Sequence, residues 1–380
     1  MEFKKKMKLV IDCFKLVKGN GKSIGIYNLT KNLVLNLAKY KNSQDKIIVL
    51  GTKYNREDFD IPGVKFVSVK YNPKNKLVCI IWELYLVNEA LKRIRADKVL
   101  FPRGFAPMKK VCKEYVIIHD MIPFYYHKNY PGVLNRVENF YIMWRLKASA
   151  KVCDMVLTDS NASKKEIVDI TGVNPWKVEV VYPGCNKIRG KEEKSETFEV
   201  RLTEVACEGK KYISAITSGL PHKNAKGIIE SYRKYYERAK KPLPMAIIGL
   251  GDVEEYDLPK GIKENIVCYK FLEKDEDMYD IIRNSKMFLF LSKIEGFGFP
   301  PLEAMQLGVP VVCSNISSVP EVTGEAAMLV NPEDTNAVAE ALIKLTTDEK
   351  LCERYVEKGY ENVSRFEWKD CIKKYKKIMM

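Results

Sequence analysis

Residues 287–313 constrain the fold of this chain more than any other stretch. Met287-Phe-Leu-Phe-Leu291 is an apolar run bounded by turn signals, the pattern of a buried strand. Glu295-Gly-Phe-Gly-Phe-Pro-Pro-Leu-Glu303 follows, with a carboxylate at each end and two glycines and two prolines between. Pro301 stands where a helix should begin, a position that needs no amide hydrogen. Leu302, Met305 and Leu307 give that helix its apolar positions, Gly308 ends it, and Val309-Pro-Val-Val-Cys313 is the next strand. Strand, glycine loop, helix and strand form the repeating unit of a parallel α/β sheet. The loop also suits an anion. Free amides and the positive end of a helix dipole point into it, and Gly296 and Gly298 let a ligand approach the backbone. Two acids beside a bare phosphate would be misplaced, so the ligand should carry hydroxyls as well.

The same alternation runs through the chain. In the first half, strands are expected at 9–11, 46–50, 64–68, 99–101, 115–118, 155–158 and 178–181, with helices near 27–40, 78–95 and 164–171. In the second half, strands are expected at 212–216, 246–248, 266–268, 287–291 and 309–313. Tyr182-Pro-Gly184 ends a strand and marks the hinge, giving domains at 1–184 and 185–362. Residues 186–211 are charged and irregular.

A chain of 380 residues can bury two full cores. No apolar stretch reaches the length of a membrane span, since Glu83 interrupts Leu77–Val87. The charged start is followed only by Leu9-Val-Ile11, too short for the apolar region of a signal peptide. Ten cysteines without a Cys-x-x-Cys pair, and three histidines, suit reduced thiols in a cytosolic protein better than a zinc cluster. Charge is uneven. Residues 1–184 hold 33 Lys and Arg against 17 Asp and Glu, a net +16, while residues 185–380 come to −1. Such a half fits nucleic acid, an anionic membrane or a phosphorylated substrate, or else lysine-rich solvated faces.

The run 286–334 resembles the signature of the retaining glycosyltransferases of family 4, often called group 1. The resemblance rests on the Glu295 and Glu303 pair spaced by seven residues, on Glu303-Ala-Met-Gln-Leu-Gly-Val-Pro-Val-Val312, on Ser318-Val-Pro-Glu-Val322 and on Glu325-Ala-Ala-Met-Leu-Val-Asn-Pro332. It implies the GT-B fold, an α/β architecture of two Rossmann-like domains with parallel sheets facing across a cleft. The last helix of that fold crosses back to the first domain. Phe366-Glu-Trp368 and the segment to Met380 look like that crossing, so 363–380 is assigned to the first, acceptor-side domain. Residues 185–362 would bind the nucleotide sugar.

The resemblance also suggests roles. Glu295 and His119 are the catalytic candidates, Glu295 facing the sugar and His119 holding it. Lys223, Gly296, Phe297, Gly298 and Gly25 are candidates for the donor diphosphate, and Glu303 for the ribose. Asp120 and Arg103 are candidate acceptor or sugar contacts. Each has a plainer reading. Glu303 would stabilise its own helix N-terminus, His119 would be a packed ring satisfied by Asp120, Lys223 would be one surface lysine among many, and the glycines 19, 21 and 25 would make an ordinary turn. In Ser218-Gly-Leu-Pro-His-Lys-Asn224, His222 stands where the family commonly has arginine, and Ser218 lies near a place where some members have a second one. Phosphate neutralisation would then rest on Lys223 and the helix near Pro301. Asp275-Glu-Asp277 precedes a periodic helix from Met278, where acids favour the N-terminus, and the family usually needs no metal. No metal or other cofactor is expected.

The expected activity is transfer of a sugar, with retention, from a nucleoside diphosphate to an acceptor hydroxyl. The expected partners are a nucleotide-sugar donor, a saccharide or lipid-linked saccharide acceptor and an anionic membrane surface, with no nucleic acid. The expected place is cytoplasmic, peripheral on the inner face of the membrane. A nucleotide-sugar epimerase of similar fold is the alternative, and a polyanion or nucleic-acid binder a more distant one.

Overall fold

The computed structural model describes residues 7–19, 24–42, 45–188 and 212–380. Gly21, the first six residues and most of the charged segment 186–211 lie outside them. The chain divides into two compact units, Met1–Gly184 with Glu367–Met380, and Cys185–Phe366.

In the first unit seven strands form one sheet. They are β1 (Lys8–Asp12), β2 (Lys46–Gly51), β3 (Lys65–Ser68), β4 (Lys98–Phe101), β5 (Lys113–Ile117), β6 (Met155–Thr158) and β7 (Val178–Val180). Their order is β3-β2-β1-β4-β5-β6-β7, and every pair is parallel. Leu9, Val10 and Ile11 are all buried because helices cover both faces, which is why the strand reads as an unbroken apolar run. Val10, Val99 and Val116 pack with Trp82, Leu91 and Leu146 on one face. Leu9, Ile11, Leu100 and Tyr115 pack on the other with Leu33 and Leu37 from the helix Ile24–Tyr40.

The last helix, Trp368–Met379, completes that second face through Ile372, Tyr375 and Met379. Lys376 Nζ donates to Tyr40 O at 3.0 Å and Tyr115 Oη to Ile378 O at 3.2 Å. Gly184 lies so close to Trp368 that a Cβ there would be 2.5 Å from the indole. The returning segment starts later than position 363. Residues 363–366 stay with the second unit, where Cys185 N donates to Phe366 O at 2.8 Å and the Phe366 ring meets Phe297 edge-on at 5.4 Å.

The second unit repeats the plan with six parallel strands. They are β8 (Ile213–Ile216), β9 (Met245–Ile248), β10 (Ile266–Tyr269), β11 (Met287–Phe290), β12 (Val311–Ser314) and β13 (Met328–Val330), ordered β10-β9-β8-β11-β12-β13. β13 is not among the strands expected from sequence. It is three residues long and partly exposed, so it carries little apolar signal.

The strand order of each sheet reverses once, between β1 and β4 in the first unit and between β8 and β11 in the second. Chains leaving adjacent strands on opposite sides open a crevice at such a switch point, beyond the carboxyl ends of the strands. Among the described residues no helix is long and apolar enough to cross a membrane.

Candidate active site

At the switch point of the second unit, the chain leaving β8 carries Lys223 and the chain leaving β11 carries Glu295. Lys223 Nζ lies 2.5 Å from Glu295 Oε1, with both side chains mostly covered. Lys223 is fixed by its backbone, which closes a 3₁₀ turn over Pro221–Lys223, and Thr217 Oγ1 donates to its carbonyl at 2.9 Å. Asn224 follows in the left-handed region at φ +56° and begins the helix Ala225–Arg238. His222 is buried. Burial, and then the charge of Lys223, push its pKa down to about 4, so at neutral pH it brings no positive charge where an arginine would.

The Glu295 loop is held from behind. Glu295 N donates to Ser317 Oγ at 3.1 Å, Ser317 Oγ donates back to Glu295 O at 3.0 Å, and Ser318 Oγ lies 2.8 Å from Phe297 O. Gly298, at φ +102°, turns the chain into the helix Phe299–Gln306. That helix begins two residues before Pro301. Its first turn therefore contains both prolines, which lack the amide hydrogens that a helix start leaves unpaired.

Glu303 lies further along the same helix, accepting a long hydrogen bond from Tyr279 Oη at 3.4 Å. Burial, reinforced by Asp275, raises its pKa to about 7. Asp275, Glu276 and Asp277 occupy the first turn of the helix Asp275–Arg283. The second unit thus joins a lysine, a carboxylate, a glycine turn at a helix N-terminus and a second acid that holds its proton near neutrality. These can bind a diphosphate and its neighbouring hydroxyls.

At the switch point of the first unit, Asp12 ends β1 and Arg103 follows β4. Arg103 Nη1 donates weakly to Lys15 O at 3.4 Å, and its buried Nε has no partner among the described residues. Gly104, at φ +81°, makes the turn after it, and a Cβ there would lie 2.8 Å from Leu146. Asp12 accepts from Phe14 N at 3.1 Å and from Trp82 Nε1 at 3.2 Å. Burial still lifts its carboxyl to about 6. Glu83 accepts from Lys15 Nζ at 2.9 Å and from Tyr141 Oη at 3.2 Å. Asp12, Lys15, Trp82, Glu83 and Arg103, with Phe101, Pro102 and Phe105, line a cavity of about 10 Å³. That is about the room one water needs, so it can accept a single hydroxyl or phosphate oxygen but no sugar ring.

His119 is a packed ring, and its partner is not Asp120. Nδ1 lies 2.6 Å from Asp159 Oδ2 and Nε2 lies 2.9 Å from Pro102 O. Burial opposes a charge here, but Asp159 and the carbonyl outweigh it and raise the pKa to about 9. Both partners accept, so the charged ring donates from both nitrogens. It offers neither to a ligand and instead fixes the residue before Arg103. Asp120 Oδ1 accepts from Ile122 N at 3.0 Å at the start of the helix Ile122–Asn129. Gly25 lies in the first turn of the helix Ile24–Tyr40 with open space where a Cβ would be.

Asp12, Lys15, Trp82 and Glu83 are not among the candidates that the sequence marks. The signal was present in Glu83, an acid inside an otherwise apolar run. It was also present in Asp12, a carboxylate at the end of the strand that precedes the switch. Ser317 was missed too, and nothing in its neighbourhood marks it from sequence.

Comparison with known proteins shows what the chain is similar to. The profile of the family described as Glycosyl transferases group 1 matches residues 200–362. O-antigen chain mannosyltransferase B of Escherichia coli is 28% identical over 236 residues, 61% of this chain, and the match spans 61% of that relative's length. O-antigen chain mannosyltransferase RfbU of Salmonella typhimurium is 24% identical over 80% of this chain and 83% of its own. Among solved structures, HepE of Anabaena in complex with UDP-glucose superimposes with a TM-score of 0.66 at 14% identity, covering 98% of this chain and 99% of the other. That likeness shows the fold, which is GT-B.

Proposed function

From the match of residues 200–362 to the group 1 glycosyltransferases, we propose that this chain moves a hexose from a nucleoside diphosphate to an acceptor hydroxyl, retaining the anomeric configuration. The Lys223–Glu295 pair beside the Gly296–Gly298 turn carries this reading. The diphosphate enters as a competitor for Lys223, whose ammonium has donors to spare for phosphate oxygens. As the bond from the anomeric carbon to oxygen breaks, negative charge collects on the leaving phosphate. Lys223, the loop amides and the helix N-terminus are already in place to meet it.

Glu295 stands next to the lysine, where it offsets positive charge growing on the sugar. The departing phosphate oxygen takes the proton of the acceptor hydroxyl, so no separate base is required. Attack by Glu295 itself, giving a covalent glycosyl intermediate, is the other route. Glu303 takes the ribose hydroxyls. In the first unit, Arg103 and Asp12 receive one oxygen of the acceptor, and His119 acts as a positioning residue through Pro102.

Relatives named O-antigen mannosyltransferases support a role in surface polysaccharide synthesis and make mannose the first sugar to test. The acceptor is a saccharide or lipid-linked saccharide. The protein is cytoplasmic, attached peripherally to the membrane, and its basic half supports an attachment that salt weakens. No metal takes part.

A thermal-shift panel of UDP, GDP, dTDP, CMP and ADP tests the donor. A ligand bound only by the folded state adds about 2.7 kcal/mol at a hundredfold excess over its Kd. One diphosphate should raise the melting temperature, and Lys223→Ala should remove the effect. Product analysis then separates transfer from epimerisation: an α-linked product supports the proposal, and an isomerised donor without acceptor contradicts it.

A further inference from the structure

The first unit presents an apolar face outside the residues assigned above to sugar transfer. On the helix Lys76–Ile81 and its π turn Trp82–Leu86, Leu77, Ile81 and Tyr85 point outward while Cys79, Trp82 and Glu83 are buried. On the helix Arg136–Val152, Val137, Phe140 and Trp144 point outward while Asn139, Met143 and Leu146 are buried. Spacings of three and four residues keep each set on one side of its helix.

The two helices are neighbours. Lys76 Nζ lies 3.8 Å from Glu138 Oε2, and Glu83 is held by Tyr141 through its carboxylate and by Arg145 through its carbonyl. The outward side chains are exposed by 42% at Trp144 to 80% at Val137. Single exposed apolar residues are ordinary, but a set of them side by side marks an interaction surface.

Charge identifies the occupant. Exposed Lys74 and Lys76 stand at the entry of the first helix, and exposed Arg136 and Lys147 lie on the second. The surrounding half of the chain carries a net +16. An apolar centre containing Tyr and Trp, bordered by basic residues, is the composition of surfaces that lie in a membrane interface.

We propose that this face seats on an anionic lipid surface. Leu77, Ile81, Val137 and Phe140 enter the boundary between headgroups and acyl chains, and the basic side chains meet lipid phosphates. The proposal rests on the transferase reading for its purpose. Glu83 and Tyr141 lie on the same two helices and adjoin the Arg103 crevice, so an acceptor carried by a lipid reaches the crevice without leaving the bilayer.

Flotation of the full chain tests this, with vesicles of phosphatidylcholine alone and with phosphatidylglycerol added, at low and high salt. Wild type should bind only the anionic vesicles, with binding weakened but not abolished by salt. Leu77→Ser with Phe140→Ser should reduce binding by about tenfold or more at either salt, with an unchanged melting temperature. Equal binding by the double variant, or no binding by wild type, overturns the proposal. So does an oligomer that the same substitutions dissociate without any vesicle binding, since the face would then join two copies of the chain. Transfer to a short water-soluble acceptor keeps the two readings apart. The double variant should retain it, whereas its absence in wild type counts against the transferase reading and leaves the flotation result standing.

Discussion

At the switch point of the second sheet, the cation is already bonded to its acid, Lys223 to Glu295 at 2.5 Å. At the switch point of the first sheet, the acids are satisfied by other groups, Asp12 by Trp82 and Phe14 and Glu83 by Lys15 and Tyr141, while Arg103 Nε has no partner among the described residues. One topology thus produces two electrostatic situations. The second unit holds a closed ion pair that a multiply charged ligand must enter and share. The first holds a donor with no partner among the described residues, beside a space for a single oxygen. That difference suits a donor diphosphate in one place and an acceptor oxygen in the other.

The largest expected effect comes from opening the closed pair. Lys223→Ala removes the cation and leaves Glu295 mostly covered without it. It should lower kcat/KM by about 10²–10³-fold, the scale found when one preorganised charge-stabilising group is lost. Steady-state kinetics at saturating acceptor would check it. Arg103→Ala should act on the other side of the comparison, raising the acceptor KM by about tenfold while leaving donor affinity unchanged. A change in donor affinity instead would remove the distinction between the crevices.

Glu303 sharpens the comparison through pH. Its pKa of about 7 in the free protein should fall when hydroxyls donate to the carboxylate. Binding then releases a proton and strengthens as pH rises through 7. Donor affinity should weaken by about tenfold from pH 8 to pH 6, and Glu303→Gln should flatten that slope in calorimetric titrations. The smallest effect is conformational. Gly298→Ala places a side chain at φ +102° without a steric neighbour closer than 3.7 Å, so the cost is backbone strain of about 1–2 kcal/mol. A fall of a few degrees in melting temperature should register it.

The two crevices also differ in how far sequence reveals them. In the second unit, acids, glycines and prolines are adjacent in the chain, and their spacing alone implies a loop at a helix start. Lys223 is distant in sequence but lies just after a recognisable strand. In the first unit, Asp12, Glu83, Arg103 and Tyr141 come from four separated segments, and only the strand order β1-β4 brings them together. Nothing local announces that convergence. The π turn at Trp82–Leu86, which turns Trp82 and Glu83 inward, is likewise hidden within an ordinary helical pattern. His119 shows the opposite limit. Its place after a strand was legible, but its partner Asp159 lies 40 residues away, and only the structure shows both nitrogens engaged.

The division of labour between the crevices is tested most directly by titrating UDP and GDP into wild type, Lys223→Ala and Arg103→Ala. One diphosphate should bind wild type and Arg103→Ala with the same Kd and bind Lys223→Ala at least about tenfold more weakly. Binding by Lys223→Ala equal to wild type, loss of binding in Arg103→Ala, or no binding of either diphosphate to wild type would contradict the assignment of the donor to the second unit.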